Sequence, residues 1–355
     1  VLRDRERCDL VVVLIHSGPG IDLETGVADD TEKTENRVAA LAREVPGIDL
    51  LLTGHTHNRI PLTRINGVPI IQPGRWGDVV ARVDVTLEKV AGRFRVSAVR
   101  GDLLPSTAEV GEDPVVAKLA APYHTAALAV LEEPVAMAAA AFPAGRARLE
   151  DTALLDLLND AQREATGADL SMASLLPGSS FEGLPKGALT VRHLWALYPY
   201  ENELVLLEVD GAMVKACLEN AARYYETARF DEGRIVVKTN PAMVPYNFDV
   251  IQGVSYRIDP FAKVGERVKD LERGGRPVDP EDRLTLAVNS YRAQGAGGYD
   301  ALRGAKVVKR VTLDVREVLI QKLRALGTVA PHVDRNWTVG PSVVFESPQS
   351  QPRSR

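Results

Sequence analysis

Three of the six histidines in this chain follow short apolar runs. His16 comes directly after Val-Val-Val-Leu-Ile at residues 11–15, and His55 and His57 follow Leu50-Leu51-Leu52-Thr53-Gly54 in the order G-H-T-H. Valine- and leucine-rich runs of this length suit strands of a sheet, and in open α/β sheets binding sites form beyond the carboxyl ends of the strands. Residues two apart in an extended segment point to one side, so His55 and His57 are expected to aim together. Imidazoles converging on one point suit a borderline divalent metal such as zinc, manganese or iron. Hydrogen-bonded loop histidines are the plainer alternative. His124, His193 and His332 have no such setting and read as surface or structural residues.

A second constellation is aromatic. Tyr198-Pro199-Tyr200-Glu201-Asn202 precedes the apolar run at residues 204–209, and the run at 284–288 leads into Asn289-Ser290-Tyr291-Arg292-Ala293 and a glycine loop from Gly295 to Gly298. Two strand-end tyrosines beside such a loop could stack a flat base between their rings, at about 1–3 kcal/mol per base. They could equally be half-buried core aromatics with only their hydroxyls in water.

The elements that must position these residues are legible as a pattern. Cys8 to Ile15 predicts a strand buried on both faces, Thr34 to Glu44 a helix ended by Pro46-Gly47, and Ile48 to Leu52 a second buried strand. Strand, helix, strand implies α/β architecture. Further strands are expected at Val68–Gln72 and Val79–Leu87. The polar stretch Gly101 to Asp113 reads as a boundary, Pro114 to Leu131 as a helical connector interrupted by Pro122, and Thr152 to Thr166 as a helix closed by Gly167. These signals divide the chain into residues 1–106, a linker and helix at 107–132, a second domain at 133–345, and a Pro-, Ser- and Gln-rich tail at 346–355 expected to be disordered.

Composition narrows the function classes. Apolar residues make up 45% and charged residues 26%, as in ordinary globular proteins, and a net charge of −5 argues against a nucleic-acid polymer as the main partner. No apolar run approaches about 18 residues, so no membrane span is expected. Cys8 and Cys217 are too few for a disulfide framework. No secretory leader opens the sequence; Val1 leads almost at once into an apolar strand, and the natural start is expected to lie upstream.

The motifs L-I-H-S-G (residues 14–18) and P-G-I-D-L-L-L-T-G-H-T-H (46–57), with Q-P-G-R-W-G at 72–77, resemble the second half of a calcineurin-like metallophosphatase domain of the 5′-nucleotidase family. The resemblance implies half of an αββα sandwich followed by an α/β 5′-nucleotidase C-terminal domain. It also implies two divalent metal ions, with His16 and His55 on one and His57 on the other. The Gln72–Gly77 segment would be a turn packed under the site. The family's remaining ligands, including a metal-bridging aspartate and the histidine of a G-N-H-E motif, do not occur here. The resemblance implies that they, and the catalytic histidine, precede Val1, and that the chain alone is inactive.

Y-P-Y-E-N, Y-N-F-D-V-I-Q-G-V-S-Y and N-S-Y-R-A-Q-G-A-G-G-Y are similar to the C-terminal domain of the 2′,3′-cyclic-nucleotide 2′-phosphodiesterase/3′-nucleotidase branch. There the tyrosines matching Tyr200 and Tyr291 sandwich the base, and Asn202, Arg292, Gly295 and Gly297 complete the implied substrate site. Residues Leu175 to Phe181 lack the arginine, and the Q-G-A-G-G loop lacks the aspartate, of typical 5′-nucleotidases. A 5′-nucleotidase, a sugar-nucleotide hydrolase and a non-catalytic nucleotide-binding remnant remain the alternatives. The partner implied is a small nucleotide, and the location implied is periplasmic, cell-wall or secreted.

Overall fold

The computed structural model describes residues 1–28, 35–176, 181–340 and 343–346. The expected disordered tail lies outside them except for Glu346, as do Thr34 and most of the Leu175–Phe181 motif, of which Leu175, Leu176 and Phe181 are described. The chain divides into two compact units, Val1–Leu119 and Ala120–Arg355.

The first unit is built on four strands: β1 (Val12–Leu14), β2 (Leu50–Leu52), β3 (Arg59–Ile65) and β4 (Val68–Pro73), with α1 (Val38–Glu44) between β1 and β2. The sheet order is β1-β2-β4-β3; β1, β2 and β4 run parallel, and β3 joins β4 as a hairpin. Val38, Ala39 and Ala42 of α1 pack with Leu51, Ile60, Ile65 and Ile70 into a small core. A long hairpin follows, β5 (Val79–Val90) with β6 (Arg93–Pro105). The next element, α2 (Pro114–Leu131), starts in the first unit and ends in the second.

Several boundaries differ from the sequence reading. β1 is shorter than expected and is not buried on both faces: Val12 and Leu14, on one face, are exposed, and Val13, on the other, is half-buried. The described helix starts at Val38, and Glu35, Asn36 and Arg37 before it are bonded to Ser17 and Gly18, just beyond β1. β6 continues to Pro105, inside the stretch read as a polar boundary, since pairing with β5 organises residues that carry no periodicity of their own. α2 has the expected bounds, yet with 18 residues and a mean hydropathy of 1.2 it is long and apolar enough to cross a bilayer, by length and composition. Lys118 and His124 interrupt its apolar stretch, so it contains no unbroken apolar run of that length.

The second unit centres on a mixed five-stranded sheet. Its strands are β7 (Leu170–Ser174), β8 (Glu203–Asp210), β9 (Asp249–Gln252), β10 (Arg283–Asn289) and β11 (Lys306–Asp314), in the order β9-β7-β10-β8-β11. Helices α3 (Ala153–Thr166), α4 (Val191–Leu197), α5 (Gly211–Ala222), α6 (Ser290–Ala293) and α7 (Val315–Leu326) accompany it. α3 is sharply bounded: Gly167 closes it in the left-handed region at φ 74°, as its sequence predicts. Leu154, Leu155 and Leu158 of α3 join Leu170, Leu204, Leu286 and Leu319 in one large core.

Candidate functional site

In the first unit, parallel pairing of β1 and β2 brings their carboxyl ends to one edge of the sheet, and both histidine segments leave from that edge. His16 and His55 meet there. His16 Nε2 lies 3.2 Å from His55 Nδ1, and the rings pack edge-on with centroids 5.1 Å apart. His55 Nε2 lies 3.1 Å from the Glu35 carboxylate. His57 does not follow the extended-segment expectation. Beyond Gly54 the chain bends, with His55 at φ 76° and His57 at φ 60°, so the period-two rule no longer governs where the rings point. His57 is exposed and takes no part in the His16–His55 contact.

Buried bonds hold this loop from below. Gln72 is fully buried and donates from Nε2 to Thr56 Oγ1 at 2.7 Å and to the Asn58 carbonyl at 2.8 Å. The Q-P-G-R-W-G segment thus supports the loop through its first residue, whereas Trp76 is exposed with Arg75 over its ring. Arg59 pairs with Asp78 at 2.6 Å, and its hydrogen bond holds the Asp78 carboxyl below its ordinary value.

Two ligand nitrogens on one tetrahedral ion, each roughly 2.0–2.1 Å from it, stand roughly 3.3–3.4 Å apart. The 3.2 Å separation of His16 Nε2 and His55 Nδ1 fits two ligands of one ion. The carboxylate behind His55 fits the usual arrangement in which a ligating imidazole donates its other N–H to an acceptor. Among the described residues, the one group of three possible metal donors whose ligand atoms all lie within 4.8 Å of one another is acidic, Asp151, Asp156 and Asp334. Burial, followed by neighbouring carboxylates, raises Asp156 to about 8 and Asp151 to about 6.

In the second unit, β8 and β10 are antiparallel with Leu204 opposite Asn289. The start of β8 therefore adjoins the end of β10, and Tyr200, Asn202, Tyr291 and the glycine loop share one end of the sheet. Tyr200 is exposed and Tyr291 half-buried, with the Arg292 guanidinium 5.3 Å from the Tyr291 ring centre. Asn202 has a structural contact: its Nδ2 lies 3.5 Å from Tyr198 Oη, which also accepts from Asn289 Nδ2 at 3.2 Å. Burial raises the Tyr198 hydroxyl to about 12, so it stays protonated.

Arg292 differs most from its expected role. It is 1% exposed and pairs with Asp249 at 2.9 Å, with its Nε 3.1 Å from both carboxylate oxygens. It also donates to Asn247 Oδ1 and to the carbonyls of Tyr246 and Ala296, and lies over the Tyr299 ring. Burial pulls its pKa down, but the facing Asp249 carboxylate more than offsets this and holds it above its ordinary value. A guanidinium with its donors committed inside the protein braces the loop and does not reach for substrate. Gly297 serves the same packing: at φ 75°, a Cβ there would overlap Arg292 and come within 2.5 Å of Asn247 Oδ1. Gly295 is buried at φ 83° against Arg303.

Sequence reasoning singled out neither Glu35 nor the Asp249–Asn247–Tyr299 brace. Glu35 was absorbed into a predicted helix, and its only signal was the polar Glu-Asn pair just before the apolar periodicity begins. Asp249 ends the Tyr246-Asn247-Phe248-Asp249 run, but its partner Arg292 lies 43 residues away, and no local pattern links them.

The fold is a mixed α/β one, with strand-end histidines in one unit and strand-end aromatics in the other. Residues 128–304 match the family model of the 5′-nucleotidase C-terminal domain, and this segment is such a domain. Over 94% of its length the chain is 28% identical to a 2′,3′-cyclic-nucleotide 2′-phosphodiesterase/3′-nucleotidase of Salmonella typhimurium. Over 96% it is 26% identical to the trifunctional nucleotide phosphoesterase protein YfkN of Bacillus subtilis. It spans 59% of the first relative and 26% of the second. Among solved structures, a protein described as a 5′-nucleotidase of Staphylococcus aureus superposes with a TM-score of 0.78 at 26% identity, over 94% of this chain and 65% of that one. The chain is thus similar to nucleotide phosphoester hydrolases of the 5′-nucleotidase family.

Proposed function

We propose that this protein is a metal-dependent phosphoester hydrolase acting on nucleotides, of the 2′,3′-cyclic-nucleotide 2′-phosphodiesterase/3′-nucleotidase kind. The observation that carries this reading is the placement of Tyr200 and Tyr291 at the same end of the second unit's sheet, beside a loop braced by Arg292 and Asp249. Tyr200 and Tyr291 stack the base between them. Gly295 and Gly297 keep the loop close and free of side chains, and Asn202 and Arg292 act by holding that loop and strand end. His16 and His55 would hold one divalent ion, and His57 would belong to a second. When bound, such ions stabilise charge on phosphate oxygens and generate a hydroxide nucleophile.

The proposal includes a free nucleotide as partner, no nucleic-acid polymer, and a periplasmic, cell-wall or secreted location resting on the family resemblance, which cell fractionation tests. Its domain reading keeps residues 1–106 as the metallophosphatase part and 133–345 as the nucleotide-binding part. A 5′-nucleotidase is the second reading, favoured by the Staphylococcus aureus neighbour. Titration of 3′-AMP and 5′-AMP into this chain decides between them: tighter 3′-AMP binding that Tyr200→Ala weakens supports the first, and a preference for 5′-AMP supports the second. No binding of either, in protein that melts cooperatively, overturns the nucleotide site.

A further inference from the structure

Glu35 stands between two strand ends. Its carboxylate Oε2 lies 3.1 Å from His55 Nε2, on the side of the ring away from the 3.2 Å contact between His55 Nδ1 and His16. An ionised carboxylate only accepts hydrogen bonds, so it selects the form of the imidazole that carries its proton on Nε2. In the neutral ring this leaves the Nδ1 lone pair facing His16 Nε2.

The backbone of Glu35 is fixed by the residues next to His16. Ser17 Oγ donates to the Glu35 carbonyl at 2.8 Å and accepts from the Arg37 amide at 2.7 Å. The Gly18 amide donates to Asn36 Oδ1 at 2.8 Å. Glu35 and the two residues that follow it are thereby stitched to the turn that begins at His16. That turn also packs on the residue between the other two histidines: a Cβ at Gly18 would overlap the Thr56 methyl and stand 2.6 Å from Asn36 Oδ1. One small cluster therefore joins both histidine segments to Glu35, and Ser17, Asn36 and Thr56 are its spacers.

We propose that Glu35 is a positioning residue, whose carboxylate holds the Nε2 proton of His55 and so presents Nδ1 as the metal-binding atom beside His16 Nε2. This rests on the reading of His16 and His55 as ligands of one ion. Glu35 itself does not touch the metal; it sets the tautomer and the rotation of the ring that does. Removing such an acceptor behind a ligating histidine typically weakens metal binding by about 10–100-fold.

The test uses the full chain labelled with nitrogen-15 in its histidines, free of metal in alkaline buffer, followed by zinc titration. Wild type is expected to show His55 as a single Nε2–H tautomer. Glu35→Ala is expected to admit the Nδ1–H form and to weaken zinc binding by about 10–100-fold, with an unchanged melting temperature. Glu35→Leu, which keeps about the same side-chain bulk and offers no acceptor, provides the same comparison if the alanine variant folds poorly. A single Nε2–H tautomer in both variants, or an Nδ1–H ring in wild type, overturns the proposal. So does a loss of zinc affinity without any tautomer change, which would make Glu35 a ligand. His16→Ala and His55→Ala separate the two levels. If neither weakens zinc binding, the ligand reading fails, whereas the tautomer spectra still decide whether Glu35 controls the ring.

Discussion

At the histidine end of the first unit, His16 and His55 meet through one 3.2 Å contact and one carboxylate, in half-exposed surroundings. At the tyrosine end of the second unit, Tyr291 is followed directly by a fully buried ion pair whose guanidinium reaches three further oxygen acceptors. Both ends lie beyond strands of a sheet, and they are held by opposite means. The contacts of the two rings lie near water, where a hydrogen bond contributes little net stability, about 0.5–1.5 kcal/mol, so the rings can be altered without loss of the fold while Gln72 still braces the loop beneath them. The tyrosine loop rests on buried charge, where losing one partner leaves the other stranded. Substitutions at the first end should therefore act on ligand binding, and those at the brace of the second should act on stability.

The largest effect expected is at the brace. Arg292→Met leaves Asp249 buried without its partner and should destabilise the second unit by about 3–5 kcal/mol, read as a shift in the urea unfolding midpoint. Adding Asp249→Asn to it should recover part of the loss. A change below about 0.5 kcal/mol would erase the contrast between the two ends.

Next is the clamp above that brace. Tyr200→Ala should weaken adenosine binding by about 1–3 kcal/mol, which is roughly 5- to 150-fold, while Tyr200→Phe keeps most of it. Because Tyr200 is exposed, its melting temperature should stay within about 1–2 °C of wild type, in contrast to Arg292→Met. A folded alanine variant that binds adenosine as well as wild type removes the clamp.

At the histidine end, His55→Ala should reduce zinc affinity by at least about tenfold, or about 1.4 kcal/mol, in titration calorimetry, with no fall in melting temperature. Equal loss of stability and affinity would show that this end is braced like the other.

The smallest effect concerns pH, and it extends the contrast to a third buried group. Asp156, with Asp151, Asp334 and Asp160 as its charged neighbours, has its pKa raised to about 8 by burial and then by Asp151. A carboxyl raised on folding contributes most below the unfolded value near 4, and that contribution is lost as pH rises towards 8. Thermal melts should therefore show the second unit losing stability across this range. Asp156→Asn, whose amide oxygen can still accept from the Asp334 amide, should flatten the slope and raise the melting temperature at pH 8 by about 2–4 °C per kcal/mol of repulsion relieved. A slope unchanged by the substitution would place the pH dependence elsewhere.

Local patterns in the sequence were enough for the strands that deliver the histidines and tyrosines, for the helix closed by Gly167, and for the motifs that tie residues 128–304 to the nucleotidase C-terminal domain. These features repeat with the period of their own strand or helix, so a short window contains the information. Long-range contacts decided the rest. Arg292 reads as a ligand-binding arginine until Asp249, 43 residues away, is seen to claim it in the core. Glu35 reads as the start of a helix until Ser17 and Gly18 are seen to tie its segment to the end of β1. His57 reads as the twin of His55 until the left-handed bend after Gly54 separates them. For Arg292 and Glu35 the role depends on a partner brought close by sheet register and packing, which leaves no periodic trace; for His57 it depends on a backbone bend that breaks the period of the strand.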